Sequence, residues 1–145
     1  MGNRKQPKRK KITLIQQYVL IQLKYKRMIL KQSYSLSKAT FDLKIKPSNV
    51  SNTYIVRMKL YNKVNPKVFV VKPKLKKRKR QMPPHTYDFK NGRICLFLPK
   101  EIDSSLYYDR IIPWISEWLF HYEIWLITGN WNGGGHAFGT IKESD

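Results

Sequence analysis

The spacing of hydrophobic positions changes along the chain, and each change predicts a different element. From residue 12 to about residue 31, apolar residues recur near helical spacing and cations gather in the second half, which predicts an amphipathic helix packed on a sheet. Apolar and polar residues then alternate from Ala39 to Ile45 and from Tyr54 to Tyr61, which predicts two strands. The apolar run from Val68 to Val71 predicts a third strand. Because the connections are short, we expect an antiparallel meander of three to four strands with one apolar face.

A second helix is predicted near the C-terminal end, where apolar residues again recur near helical spacing from Ile112 to Leu126. Pro113 suits the first helical turn, where its missing N–H costs nothing. Gly129 is placed to end the helix. The helix is rich in aromatic residues and should form the other half of the core: Trp114, Trp118, Tyr122 and Trp125.

Between the strands and this helix lies the single cysteine of the chain, Cys95. It closely follows Asn91-Gly92, a dipeptide that accepts the positive φ of a tight turn at low cost. Upstream, His85 and Tyr87 lie on an approach stiffened by two prolines. We therefore expect the histidine and the tyrosine to return to the neighbourhood of the thiol.

The residues around the cysteine alternate in a way that predicts where the thiol points. An extended chain after the turn places Ile94, Leu96 and Leu98 on one side and Cys95 with Phe97 on the other. If the first set faces the core, the thiol lies near the surface.

Composition limits the class of protein. A chain of 145 residues suits one domain, and its 41% apolar and 13% aromatic content is too high for a disordered chain. One cysteine excludes an intramolecular disulfide and indicates a reducing compartment. Since there is no apolar run of about 18 residues and no signal peptide, we expect a cytoplasmic protein with no membrane partner.

No cofactor or metal is expected from the sequence. One cysteine and three scattered histidines offer no metal-ligand spacing. The glycines at 133–135 predict a loop and not a phosphate cradle, because no Lys-Ser/Thr pair follows and no strand precedes them. His136 is interpreted as an ordinary exposed residue, since a lone histidine gives no base with an orienting partner.

The formal net charge of +20 needs a separate explanation. Basic clusters attract phosphates or acidic proteins, so a nucleic acid or an acidic protein surface is a candidate partner; a lysine-rich proteome with solvated segments is the plain alternative. The first cluster belongs to a basic, flexible arm over residues 1–11, ahead of one domain over residues 12–145. The second, from Lys72 to Arg80, is predicted to be a flexible loop near Cys95, whose charge would lower the thiol pKa from its usual ~8.5.

The cysteine segment resembles the active-site segment of ubiquitin-conjugating enzymes. In that family a His-Pro-Asn triplet precedes Gly-x-Ile/Val-Cys-Leu, and the cysteine carries a ubiquitin-like protein as a thioester. Here His85 stands at the family's histidine, and residues 91–96 match the segment around the nucleophile. Thr86 and Tyr87 replace the Pro and the Asn, so Tyr87 must supply in another way the donor that the family's asparagine offers to the oxyanion.

The order helix, meander, cysteine loop, helix is also that of the ubiquitin-conjugating (UBC) fold, an α+β fold. The run over residues 117–136 looks like the short bacterial relatives found in type II CBASS anti-phage operons. The resemblance implies that Cys95 forms a thioester with the C-terminus of a cGAS/DncV-like nucleotidyltransferase, raising its cyclic-nucleotide output, and passes it to an amine as an isopeptide. It further implies that His85 braces the loop and that Tyr87, or a backbone N–H near Cys95, stabilises the oxyanion.

Two other classes of function stay open. A lone cysteine is often a small core residue, so the chain could be a non-catalytic UBC-like module that binds a partner's tail. A basic nucleic-acid-binding domain is the other alternative, and it predicts an affinity that falls steeply with salt.

Overall fold

The computed structural model describes residues 10–133. Its first helix, α1, spans Leu14–Lys24. Two reciprocal hydrogen bonds cap its start: the Gln16 amide N–H donates to the Thr13 hydroxyl at 3.3 Å, and the Thr13 N–H donates to the Gln16 side-chain oxygen at 2.9 Å. Such a capping box satisfies two backbone donors that the first helical turn leaves free.

The prediction that this helix continues to residue 31 is wrong, because the chain forms a strand, β1, at Ile29–Tyr34. This strand pairs antiparallel with its neighbour β2 at the edge of the sheet. Five of its six residues are exposed, so no apolar alternation marks it. Backbone pairing therefore decides its conformation.

The three predicted strands are confirmed. They are β2 at Lys38–Ile45, β3 at Tyr54–Tyr61 and β4 at Lys67–Lys72. With β1 they form an antiparallel meander of four strands. Two shorter strands extend the sheet beyond β4: β5 at Thr86–Asp88 and β6 at Arg93–Ile94, in the spatial order β1-β2-β3-β4-β6-β5.

The second helix, α2, spans Ile111–Thr128 and confirms the predicted helix and its ends. Pro113 lies in the first turn. Gly129 adopts the left-handed conformation with φ +81°, and its N–H donates to the Trp125 carbonyl at 2.8 Å. Glycine at this position ends a helix without steric cost.

One face of the sheet, called here the inner face, forms the core together with the two helices. Its strands contribute every second residue, and these are almost completely buried: Phe41, Leu43, Val56, Met58, Val68 and Val70. Helix α2 contributes a buried stripe of aliphatic and aromatic side chains: Ile111, Ile112, Ile115, Trp118, Leu119, Tyr122 and Trp125. The helices leave the opposite face of the sheet, the outer face, uncovered.

The basic run from Lys72 to Arg80 is not a free loop, as the sequence had suggested, but is bound to α2. Leu75 is buried, the Lys76 N–H donates to the Tyr122 hydroxyl at 2.7 Å, and Arg78 Nε donates to the Leu126 carbonyl at 3.3 Å. The Arg78 guanidinium thus lies at the C-terminal end of α2, where a positive charge is favourable. One buried leucine and these hydrogen bonds are enough to order a run that has no apolar period.

At the N-terminal side, the Ile12 N–H donates to the Ser104 carbonyl at 2.7 Å, which joins the start of the predicted domain to the segment before α2. The greater part of the predicted arm, residues 1–9, lies outside the described residues, as does His136. None of the helices within residues 10–133 is long and apolar enough to cross a membrane.

Candidate active site

The turn before Cys95 is fixed by Gly92. This residue has φ +76°, which confirms the predicted positive-φ turn. A Cβ at this position would lie 2.3 Å from the Val70 carbonyl oxygen, so no side chain fits. The Gly92 carbonyl accepts from the Val70 N–H at 2.8 Å, which ties the turn to β4. The chain therefore enters β6, and then the cysteine, along one set path.

The backbone of Cys95 is held by the carbonyl of His85. That oxygen accepts the Cys95 N–H at 2.8 Å and the Trp118 indole N–H at 3.2 Å. His85 itself has φ +55°, a conformation that non-glycine residues rarely adopt. One strained residue thus joins the cysteine to α2, and strain of this kind persists only where the surroundings impose it.

The imidazole of His85 belongs to an aromatic cluster, defined here as His85, Trp118, His121 and Trp131. The Trp131 ring lies 5.5 Å from the His85 ring, 5.4 Å from the Trp118 ring and 6.1 Å from the His121 ring. The segment after α2 therefore packs on both the helix and the approach to the cysteine.

The prediction that the thiol lies near the surface is wrong. Cys95 is only 6% exposed. Phe97, predicted to share its side, is buried, and of the residues predicted to oppose it Ile94 and Leu96 are buried and Leu98 is half-buried. The alternation fails because β6 ends at Ile94 and the chain then turns under α2, where Phe97 packs 6.5 Å from Trp114. Neither side of the segment is then a solvent side.

The thiol nevertheless contacts the polar groups of a half-exposed tyrosine and of a carbonyl. Cys95 Sγ lies 3.7 Å from the Phe97 carbonyl oxygen, and the Tyr87 hydroxyl donates to the same oxygen at 3.4 Å. The Tyr87 hydroxyl also forms a hydrogen bond with the thiol, while 51% of the residue is exposed. The expected meeting of Tyr87 and Cys95 is confirmed, and the buried thiol is hydrogen-bonded to a side chain that reaches solvent.

Burial raises the pKa of the Cys95 thiol above its ordinary value. The hydrogen bond with Tyr87, a backbone hydrogen bond at Phe97 and the charge of Arg93 act in the opposite direction without cancelling it. The basic run at 72–80 was expected to lower the pKa of this thiol, but the cation that acts on it is Arg93. Burial, and then the hydrogen bond with Cys95, raise the pKa of Tyr87 to about 12, so its hydroxyl keeps its proton at neutral pH.

Arg93 is the residue of this site that the sequence did not single out. Its guanidinium lies 4.7 Å from the centre of the Tyr87 ring, and its Nε is buried without a hydrogen-bond partner among the described residues. Arg93 of β6 pairs with Asp88 of β5, and the register shift between Thr86 and Asp88 places Tyr87 beside Arg93. A shift of this kind leaves no mark in the sequence, so no pattern pairs Arg93 with Tyr87.

A metal site would require a group of polar side chains that can act as ligands. Within residues 10–133, no three His, Cys, Asp or Glu side chains are grouped so that they could hold a metal ion.

A helix, an antiparallel meander, a cysteine segment and a second helix, in this order, define an α+β protein of the UBC-like class. The comparison with protein families then gives the particular family: the model of the type II CBASS E2 protein matches residues 17–138. The chain therefore belongs to the type II CBASS E2 family. No curated protein matches it.

Proposed function

We propose that this chain is a cysteine-dependent conjugating enzyme of bacterial anti-phage defence, in which Cys95 accepts the C-terminus of a partner protein as a thioester. Membership of the type II CBASS E2 family supports the proposal. The observation that carries it is the meeting of the Cys95 thiol and the Tyr87 hydroxyl at the Phe97 carbonyl. These are a nucleophile and a neutral hydrogen-bond donor at one point of the structure.

In the first step, deprotonated Cys95 Sγ attacks the carbonyl carbon of a C-terminus that is already activated as an acyl adenylate or a thioester. The tetrahedral intermediate collapses, the AMP or thiol leaving group departs, and a new thioester bond forms at Cys95. In the second step, an amine nitrogen attacks this carbonyl, the C–S bond breaks, and the thiolate remains on Cys95. The amine proton passes to solvent, and an amide or isopeptide bond is left.

Tyr87 is proposed to donate to the oxyanion of both intermediates. With a pKa of about 12, its hydroxyl carries a proton under all ordinary conditions. Loss of one such donor costs roughly 3–4 kcal/mol of transition-state stabilisation. His85 is proposed to position the cysteine and not to transfer protons, since its carbonyl holds the Cys95 N–H.

A partner's tail reaches the thiol only after Tyr87 moves. We infer that the ring rotates into solvent, because it is already 51% exposed and its hydroxyl bond to Phe97 is long, at 3.4 Å. Rotation would open the thiol without leaving a large buried cavity. Tyr87 would then act as a cover in the resting enzyme and as a donor once the acyl group is bound.

The resemblance to type II CBASS relatives implies the partner, a cGAS/DncV-like nucleotidyltransferase whose C-terminus is the acyl group. The acceptor is an amine such as a lysine side chain. A reducing compartment, which we take to be the cytoplasm, would keep Cys95 as the free thiol that this chemistry needs.

A synthetic peptide that carries the nucleotidyltransferase C-terminus as a mercaptoethanesulfonate thioester tests the proposal without any activating enzyme. We expect a covalent adduct with the wild-type protein that neutral hydroxylamine removes and that Cys95→Ala lacks. Adding free lysine should consume the adduct and release the lysine amide of the peptide. An adduct of equal yield on Cys95→Ala would place the chemistry elsewhere and refute the proposal.

The burial of Cys95 favours one second candidate, a UBC-like module that binds a partner's tail without covalent chemistry. In that case the peptide would bind Cys95→Ala and the wild type equally well, and neither would acquire its mass.

A further inference from the structure

Two neighbouring cavities cross the outer face of the sheet, on the side away from the helices. Their volumes are about 660 and 810 Å³, and they share Val71 and Lys74 in their walls. Together they are called here the outer groove. It runs from the turn before the cysteine, at 89–92, to Leu30 in β1.

The charge of the outer groove has one sign. No Asp or Glu lines its walls. The basic side chains among the lining residues are Lys44, Arg57, Lys59, Lys72, Lys74 and Lys90. The acid nearest in register, Asp42, is bound to Arg57 by two hydrogen bonds of 2.8 and 3.1 Å. Two other acids are bound elsewhere in the fold, Asp109 to Lys24 and Glu123 to Tyr54. Asp88, outside the walls, interacts electrostatically with Lys90, while no acid stands among the lining residues beside the other lysines of the groove.

The floor of the groove is aliphatic. Ile55, Val71 and Pro73 line the larger cavity together with Leu30, which is 51% exposed. An apolar floor within a rim of lysines is the arrangement typical of a protein-binding surface, where the centre supplies affinity and the charged rim supplies orientation.

We propose that the outer groove docks an acidic segment of a protein partner, one that places apolar side chains on the floor and carboxylates against the lysine rim. A nucleic acid fits less well, because base stacking needs open aromatic faces. Both phenylalanines of the groove already have an ammonium group above them: Lys59 Nζ lies 5.0 Å from the Phe69 ring, and Lys77 Nζ lies 5.6 Å from the Phe89 ring.

The groove is continuous with the candidate active site along the chain. Residues 89–92 form part of its wall, and the next three residues are Arg93, Ile94 and Cys95. A partner docked there is held on the element that carries the thiol. The docking surface does not depend on the thioester chemistry, so each can fail while the other stands.

Fluorescence anisotropy with a labelled peptide in which leucine alternates with glutamate tests this surface on the full-length protein. We expect binding that weakens at least about fivefold in Lys74→Glu, because a rim charge that attracted the peptide then repels it. Lys63→Glu is the matched control: Lys63 is exposed, lies in the β3–β4 turn, lines neither cavity, and its substitution should leave the affinity within about twofold. Ile55→Ser removes apolar floor without changing charge and should also weaken binding.

Three results would overturn the proposal. In the first, a peptide of equal charge in which serine replaces leucine binds as tightly, which means that the floor takes no part. In the second, single-stranded DNA binds more tightly than the peptide, in a manner that depends on Lys74, which assigns the groove to nucleic acid. In the third, no peptide binding is detected with the wild type at low salt. Binding to Cys95→Ala at wild-type affinity supports the docking surface even where no thioester forms.

Discussion

Three side chains meet at the candidate site, Cys95, Tyr87 and Arg93, and the last two act on the pKa of the thiol. The thiol is buried, which favours its protonated form, while the tyrosine hydroxyl and the arginine charge favour the thiolate. Arg93 also lies over the Tyr87 ring at 4.7 Å, so one cation both orients the donor and acts on the nucleophile. We therefore expect the resting thiol to be weakly reactive, with its pKa lowered in part by these two neighbours.

Tyr87→Phe keeps the cover over Cys95 and removes the hydroxyl. Because the hydrogen bond from Tyr87 lowers the thiol pKa, we expect this pKa to rise and alkylation by iodoacetamide near neutral pH to slow about twofold to tenfold, the worth of one hydrogen bond. The measurement is the alkylation rate against pH. Tyr107→Phe, at a similarly exposed tyrosine of the segment before α2, is the control and should leave the profile unchanged. A faster rate in Tyr87→Phe would show that the hydroxyl does not favour the thiolate.

Arg93→Met keeps most of the side-chain volume and removes the charge. We expect the thiol pKa to rise here too, with slower alkylation near neutral pH, because the positive charge of Arg93 lowers that pKa in the wild type. Arg27→Met removes a charge at an exposed position in the turn after α1 and serves as the control. Equal rates in the two variants would mean that only the net charge of the protein matters, and Arg93 would lose its assigned role.

At the scale of elements, the cysteine is placed by a turn and a helix that are far apart in sequence. Gly92 sets the turn against β4, and the His85 carbonyl joins Cys95 to Trp118 of α2. Trp131, in the segment that follows α2, packs on both His85 and Trp118 and so joins this segment to the same arrangement.

Gly92→Ala adds only one methyl group but should disturb the turn strongly. The new Cβ would lie 2.3 Å from the Val70 carbonyl oxygen, at a φ that alanine rarely adopts. We expect the free energy of unfolding to fall by at least about 2 kcal/mol. Urea unfolding measures this fall, with Asn91→Ala, at an exposed neighbour with no positive φ, as the milder control. Equal stability of the two variants would contradict the close approach to β4.

His121 should make the aromatic cluster sensitive to acid. Burial lowers its pKa, against the opposing charge of Glu117, so the folded state binds the proton less well than the unfolded state does. The contribution of neutral His121 to the free energy of unfolding is fully present above its unfolded-state pKa of about 6.5. It is lost as the pH falls through the lower pKa that His121 has in the folded state. We expect the free energy of unfolding to fall on acidification by less in His121→Gln than in the wild type. An equal fall in the two proteins would assign the acid sensitivity to other groups.

The sequence predicts those elements whose side chains alternate between core and solvent. Strands β2 and β3 bury every second residue and were found with correct ends to within a residue, and Gly129 marked the end of α2. Edge strand β1 has no buried set, and β5 and β6 have three and two residues, so no period could reveal them.

The candidate site was predictable only in part, for the same reason. Cys95, His85 and Tyr87 could be found because they lie within one short segment around a turn signal. The burial of the thiol depends on how its segment packs in the folded protein, and the position of Arg93 beside Tyr87 depends on a register shift. Both are set by tertiary structure, so no local sequence pattern indicates them.

For the molecule as a whole, the two proposed functions lie on different surfaces. The UBC-like core of a type II CBASS E2 protein presents the cysteine segment beside α2, while the lysines of the outer groove lie on the uncovered sheet face. On the proposed docking, the six basic side chains of the outer groove would attract an acidic partner to the same molecule that carries the thiol. Rim charges of this kind chiefly raise the association rate, so we expect the rate to fall with added salt.

Intact-mass spectrometry of the protein, mixed with the proposed partner, a cGAS/DncV-like nucleotidyltransferase in C-terminally activated form, tests whether Cys95 accepts an acyl group. We predict a one-to-one adduct that neutral hydroxylamine cleaves in the wild type, a hydroxylamine-resistant ester in Cys95→Ser, and no adduct in Cys95→Ala. An unmodified wild-type protein, or an adduct that survives in Cys95→Ala, would contradict the account of Cys95 as the acyl acceptor.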